Sequence, residues 1–167
     1  MDSPKTARPT AAQHFLTAGL DEGRSGVLTD HVATLQLAWR ACRDRYPFTL
    51  TAGVILPDHL HCIVAIPADD PNRSARWGLL RELFQHVVNG RSSGVWLEER
   101  PLRDRAEVER SIDYIHADPV RHGWARCSRK WPYSSLHAYI EKGLRPLYWT
   151  GAVEGGYGAR GTEHGPR

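Results

Sequence analysis

Two runs of strand-forming residues, Phe48–Leu56 (FTLTAGVIL) and His59–Ile66 (HLHCIVAI), are separated only by Pro57 and Asp58. A two-residue connection is too short for a crossover, so the runs read as an antiparallel hairpin. Helical patterns flank it. Upstream, Thr29 or Asp30 is placed to cap a helix reaching about Tyr46. Its apolar positions Val32, Leu35, Trp39, Cys42 and Tyr46 recur every three or four residues, and Pro47 stops it. Downstream, a second helix is expected over about Ser74–Val88, turning Leu79, Leu80, Leu83, Phe84 and Val87 inward. His14–Ala18 reads as a first strand and Val95–Leu97 as a short fourth. Asp104, with Glu107 three residues on, reads as a capping box opening a third helix that ends before Pro119. This order of elements is that of a small α+β domain, an antiparallel sheet with helices on one face. The other face is then left for a ligand.

The 167 residues suffice for one domain with a real core, expected over 13–149. Residues 1–12 and the glycine-rich stretch 150–167 read as disordered termini. No run of about 18 apolar residues suggests a membrane span, and the first residues lack the apolar centre of a secretory signal. Cys42, Cys62 and Cys127 are odd in number and form no CxxC, which suits reduced thiols in a cytoplasm. The net charge of +3 is only mildly basic. Arginine far outnumbers lysine, which occurs only at Lys5, Lys130 and Lys142. A guanidinium grips phosphate through a planar fork, although a GC-rich genome would give the same bias.

Along the second strand of the hairpin, side chains alternate between faces. Leu60, Cys62, Val64 and Ile66 share an apolar face suited to the core, and His59, His61, Ile63 and Ala65 share the other. The two imidazoles are then about 6 to 7 Å apart along the strand, a spacing from which both can reach one divalent ion. Imidazole suits Mn²⁺ or Zn²⁺, and an added carboxylate and water widen the choice to Mg²⁺. Two surface histidines on a half-exposed strand would read the same way. A histidine-triad hydrolase would need a third alternating histidine where Ile63 stands, and an amidohydrolase barrel would need a far longer chain.

Residues 111–119 read SIDYIHADP. Ile112 and Ile115 set the buried side of the helix, and Tyr114 and Asp118 lie one turn apart. A free phenol has a pKa near 10, so only about one in a thousand is ionised at neutral pH. To attack a phosphodiester, a tyrosine needs a neighbouring charge that stabilises the transition state. Asp118 could complete a His-His-carboxylate metal site beside the phenol. His116 points elsewhere on the helix and is a poorer ligand candidate.

Three blocks in this order resemble the REP-associated tyrosine transposases, relatives of the single-tyrosine HUH transposases of the IS200-like superfamily. They are VILPDHLHCI (54–63), DYIHADPVRHG (113–123) and KWPYSS (130–135). Phe15-Leu16-Thr17 and Ser74-Ala75-Arg76-Trp77 extend the match to about 13–149. The resemblance implies a ferredoxin-like fold with the catalytic tyrosine on a C-terminal helix. It also implies cleavage and rejoining of single-stranded DNA at palindromic repeat hairpins, dependent on Mg²⁺ or Mn²⁺, through a 5′-phosphotyrosine. Carried over residue by residue, His59 and His61 would be metal ligands, Tyr114 the nucleophile and Asp118 the third ligand. The family usually has Asn at the position of Asp118. It also has a longer stretch with an aromatic pair and a histidine where this chain has Val95–Leu102, so a truncated strand is expected there. A catalytically inactive hairpin-binding protein of the same fold is the alternative reading.

For DNA contacts, Arg121, Arg126, Arg129 and Lys130, interleaved with Trp124, Trp131 and Tyr133, form the densest basic-aromatic stretch. Cations for phosphate and rings for stacking are the means by which single strands are held. Arg73, Arg76 and Arg81, at the start of the second helix, are a second candidate patch. The tryptophans of the first stretch, Trp131 above all, could instead fill the core. Partners are then hairpin or single-stranded DNA and no membrane, with monomer and homodimer both open.

Overall fold

The computed structural model describes residues 11–21, 26–88 and 94–151. Most of the stretches expected to be loose, 1–12 and 150–167, lie outside them. Its elements are β1 (Ala11–Leu20), α1 (Val27–Asp30), α2 (Val32–Arg45), β2 (Thr49–Ile55), β3 (His59–Pro67), α3 (Arg73–Val87), β4 (Val95–Pro101), α4 (Arg105–Arg121) and α5 (Leu136–Glu141). The four strands form one antiparallel sheet in the order β2-β3-β1-β4. Among the described residues, no helix is long and apolar enough to cross a membrane.

The alternation along β3 sorts two cores. Leu60, Cys62, Val64 and Ile66 join Leu16, Ala18 and Leu20 of β1 under Leu35, Ala38 and Cys42 of α2 and Trp77, Leu80 and Phe84 of α3. Each fully buried aliphatic side chain here contributes about 1.5–3 kcal/mol. The opposite face carries Phe15, Ala52, Val54 and Ile63, packed against Ile112, Tyr114 and Ile115 of α4. Helices α2 and α3 thus lie on one face as expected, while α4, the tyrosine-bearing helix, lies across the other. That face is therefore not left open along its whole width: α4 covers its β2–β3 half.

Several boundaries move. The first strand runs from Ala11 to Leu20, because it is the central strand and pairs with both β3 and β4. Thr29 and Asp30 do not cap α2. Both lie in α1, where the Thr29 hydroxyl donates to the Gly26 carbonyl, and His31 occupies the cap position. Asp104 does cap α4, accepting from the Glu107 N–H at 2.7 Å. The Glu107 carboxylate turns to the Arg103 N–H instead of closing a reciprocal box.

Pro119 does not end α4, which continues to Arg121. So close to a helix end the ring forfeits a single intrahelical hydrogen bond, and the Pro119 carbonyl is capped by the N–H groups of Trp124 and Ala125. Nor is β4 confined to Val95–Leu97; it runs on to Pro101. All seven of its residues pair with β1, from His14↔Pro101 to Leu20↔Val95. The Trp96 ring lies on Gly19, where any Cβ would collide with it.

Candidate metal and nucleophile site

The register brings the site together. His59 is paired with Gly19 and His61 with Thr17, on the sheet face that α4 crosses. One turn of that helix then supplies Tyr114, the next Asp118, and the last Arg121 and His122. The Asp118 carboxylate is fully buried. Its Oδ2 lies 3.4 Å from His61 Nε2 and 3.7 Å from His59 Nε2, while its Oδ1 lies 3.5 Å from His122 Nε2 and 3.4 Å from an Arg121 guanidinium nitrogen. Ligand atoms of His59, Asp118 and His122 all fall within 4.8 Å of one another.

Both strand histidines are held from behind. His59 Nδ1 lies 2.7 Å from the Asp58 carboxylate, and His61 Nδ1 lies 2.9 Å from the Thr17 hydroxyl. When the Nδ1 atoms donate to these oxygens, each Nε2 presents its lone pair towards Asp118. Burial pulls the His59 pKa down, but the Asp118 and Asp58 carboxylates more than offset it and raise it to about 9. For His61, burial wins over the pull of Asp118, with the charges of His59, His122 and Arg121 adding to it, and its pKa falls to about 4. The hydrogen bond from His59 holds the Asp58 carboxyl below the usual carboxylate range despite its burial.

The donor set fits a divalent cation. Asp118 Oδ2 is buried without a hydrogen-bond partner, an arrangement that is costly unless something positive completes it. Ligands about 2.1 Å from one ion stand about 3 to 3.5 Å apart, close to the His61–Asp118 separation. Imidazoles with one carboxylate suit the first-row divalent metals, and Mg²⁺ where water fills the rest of the shell.

Tyr114 borders this cluster. Its ring centroid is 5.7 Å from that of His61 and 6.2 Å from that of Phe15, and the Arg121 guanidinium lies 4.2 Å over its face. The ring is 8% exposed, and Tyr114 lines a cavity beside β1 and β4.

The residues expected to touch DNA divide. Arg76 is wrong for that task. It is buried, ion-paired with Asp70, and its guanidinium donates to the carbonyls of Tyr46 and Pro47, tying α3 to the end of α2. Trp131 is partly buried against the second core, and its indole N–H donates to the Ile55 carbonyl at 2.9 Å, so its ring is largely committed to the fold. Arg73 is exposed but bound to Glu99 at 2.9 Å. Arg81, Arg126, Arg129 and Lys130 are exposed, with Arg129 5.8 Å over the Tyr148 ring. Tyr133 is 37% exposed, on a segment whose backbone hydrogen-bonds to the edge of β2. His116 faces away, buried against Tyr139, Trp149 and Ser135.

His122, Asp58 and Thr17 were not singled out from the sequence. His122 stands four residues after Asp118, a spacing that marks a shared helix face only if the helix passes through Pro119. Thr17 is paired with His61 by a long-range register and carries no local signal.

No family model matches the chain. It is similar to the REP-associated tyrosine transposase of Escherichia coli (strain K12), at 35% identity over 143 residues that cover 83% of this chain and 85% of that protein. A Haemophilus influenzae relative named for the same activity is 30% identical over 153 residues, covering 83% and 87%. A solved structure of a REP-associated tyrosine transposase bound to a REP hairpin is similar throughout, with TM-score 0.79, 30% identity, and 93% and 94% coverage.

Proposed function

Because the chain belongs to the REP-associated tyrosine transposases, we propose that it cleaves and rejoins single-stranded DNA beside a palindromic repeat hairpin, using Tyr114 as nucleophile. The observation that carries this reading is the convergence of His59, His61 and Asp118 beside a single tyrosine 5.7 Å from His61. The solved relative bound to a REP hairpin supports the same substrate class.

In this mechanism the Tyr114 oxygen forms a bond to the scissile phosphorus as the bond to the 3′ oxygen breaks. The phenol gives up its proton, the departing 3′ oxygen takes one, and the 5′ phosphate stays on Tyr114 until a second 3′ hydroxyl reverses the step. His59, His61 and Asp118, joined by His122, would hold a divalent cation. When bound, that cation would neutralise charge developing on the phosphate. Arg121 supplies a fixed positive charge over the tyrosine ring. Asp58 and Thr17 orient the two strand imidazoles. The exposed Arg126, Arg129 and Lys130 provide charge for the DNA backbone.

The test is incubation with an end-labelled hairpin bearing single-stranded flanks, with Mn²⁺, followed by a denaturing gel. A covalent protein–DNA adduct that disappears in Tyr114→Phe is expected. Hairpin binding with no adduct at any flank sequence would instead identify a non-catalytic binder.

A further inference from the structure

Helix α4 carries two stripes of polar side chains. Tyr114 and Asp118 face the site, while Glu109, Asp113 and His116, on another side of the helix, face the C-terminal part of the chain. The second stripe is fastened there. His116 lies 2.9 Å from the Ser135 hydroxyl. Arg145 holds the other two. Its Nε and one Nη donate to the Asp113 carboxylate at 3.1 and 2.9 Å, and the same Nη donates to Glu109 at 3.2 Å. Arg145 is itself held in place. Gly143, with φ at 70°, ends α5 in the left-handed conformation that glycine adopts without strain. The N–H groups of Leu144 and Arg145 then both return to the Tyr139 carbonyl. The Tyr139 hydroxyl in turn donates to the Thr51 carbonyl of β2 at 2.9 Å. A continuous set of contacts thus runs from β2 through Tyr139 and Arg145 to Asp113, the residue before the tyrosine. Strand β2 is paired with β3, which carries His59 and His61.

The Asp113 and Glu109 side chains are 40% and 50% exposed, and ion pairs to carboxylates this wet add little to overall stability. Their geometry matters more than their charge. A rigid guanidinium fork that grips two successive turns of one stripe resists rotation of the helix about its own axis. The Tyr114 oxygen stands far out from that axis, so a small rotation displaces it strongly. A misplacement of about 1 Å at a reacting atom can cost about a hundredfold in rate. We propose that Arg145 is a positioning residue for the cleavage step: through Asp113 and Glu109 it sets the rotation of α4 that aims Tyr114 at the phosphate beside His59 and His61. The inference rests on the reading of Tyr114 as nucleophile.

The test measures three quantities on the full chain: the first-order rate of adduct formation at saturating hairpin and Mn²⁺, the hairpin Kd by anisotropy, and the urea midpoint. Arg145→Met is expected to slow adduct formation about tenfold while Kd and midpoint stay near those of the wild type. Arg145→Lys, whose single ammonium meets one carboxylate without gripping both, should recover part of the rate. Arg145→Asp should be at least as slow as Arg145→Met. Adding Asp113→Arg to it re-forms the ion pair with its charges exchanged and is expected to recover most of the rate, which a role confined to stability would not produce at an unchanged midpoint. If Arg145→Met fails to fold, Arg145→Lys and the exchanged pair decide. A wild-type rate in Arg145→Met overturns the inference and leaves the functional reading standing. So does a rate lost only in step with the midpoint or the Kd, or an exchanged pair as slow as Arg145→Asp alone. Absence of any adduct from the wild type overturns both.

Discussion

Asp118 and His122 lie one helical turn apart on α4, and the turn between them contains Pro119; the Asp118 Oδ1 to His122 Nε2 distance is 3.5 Å. The end of the helix therefore adds a third imidazole to the pair contributed by the strand. His122→Ala is expected to weaken Mn²⁺ binding by roughly tenfold, read by electron paramagnetic resonance titration of the metal alone. His116→Ala, on the far side of the same helix, should leave it unchanged. Equal affinity in wild type and His122→Ala would remove His122 from the ligand set.

Asp58 and Thr17 would act on a bound metal only through the histidines they touch. Asp58→Asn and Thr17→Val should each lower Mn²⁺ affinity by about 10- to 100-fold while far-UV circular dichroism stays native. A loss of secondary structure would mean that they serve the fold instead.

Arg76 and Arg126 are both arginines of candidate DNA patches, yet they should behave as opposites. Arg76→Ala leaves Asp70 without its partner in a largely buried setting and is expected to cost about 3 kcal/mol of stability in urea denaturation. Arg126→Ala should leave the midpoint unchanged. If Arg126 meets a phosphate, its loss should reduce the slope of log affinity against log salt by about 0.7. An Arg76→Ala protein of full stability would refute the structural role.

His116 should make the protein acid-sensitive. Burial, aided by the charge of Arg145, lowers its pKa from 6.5 to about 4, so between those values the unfolded chain binds a proton that the folded chain refuses. Stability is then complete above about pH 6.5 and declines as pH falls towards 4, by at most about 3.5 kcal/mol at roughly 1.4 kcal/mol per unit. Urea midpoints at pH 7 and pH 4.5 check this. His116→Phe, though it gives up the hydrogen bond to Ser135, should show a flatter pH dependence than wild type. An unchanged slope would place the acid sensitivity elsewhere.

The sequence by itself determined the hairpin, the helix periods and the shared face of His59 and His61, because those follow from two- and 3.6-residue repeats that local backbone geometry imposes. It also put Tyr114 one turn from Asp118. Only the tertiary structure decided that Pro119 is passed, since a proline near a helix end costs little when later N–H groups cap its carbonyl, and that continuation admits His122. The central position of β1 extended that strand and made β4 whole despite its short segment, because pairing on both edges outweighs weak local signals. Arg76 looked like surface charge until α2 and α3 closed around it. Which charge faces a phosphate and which faces a carbonyl is set by long-range packing, which no spacing along the chain encodes.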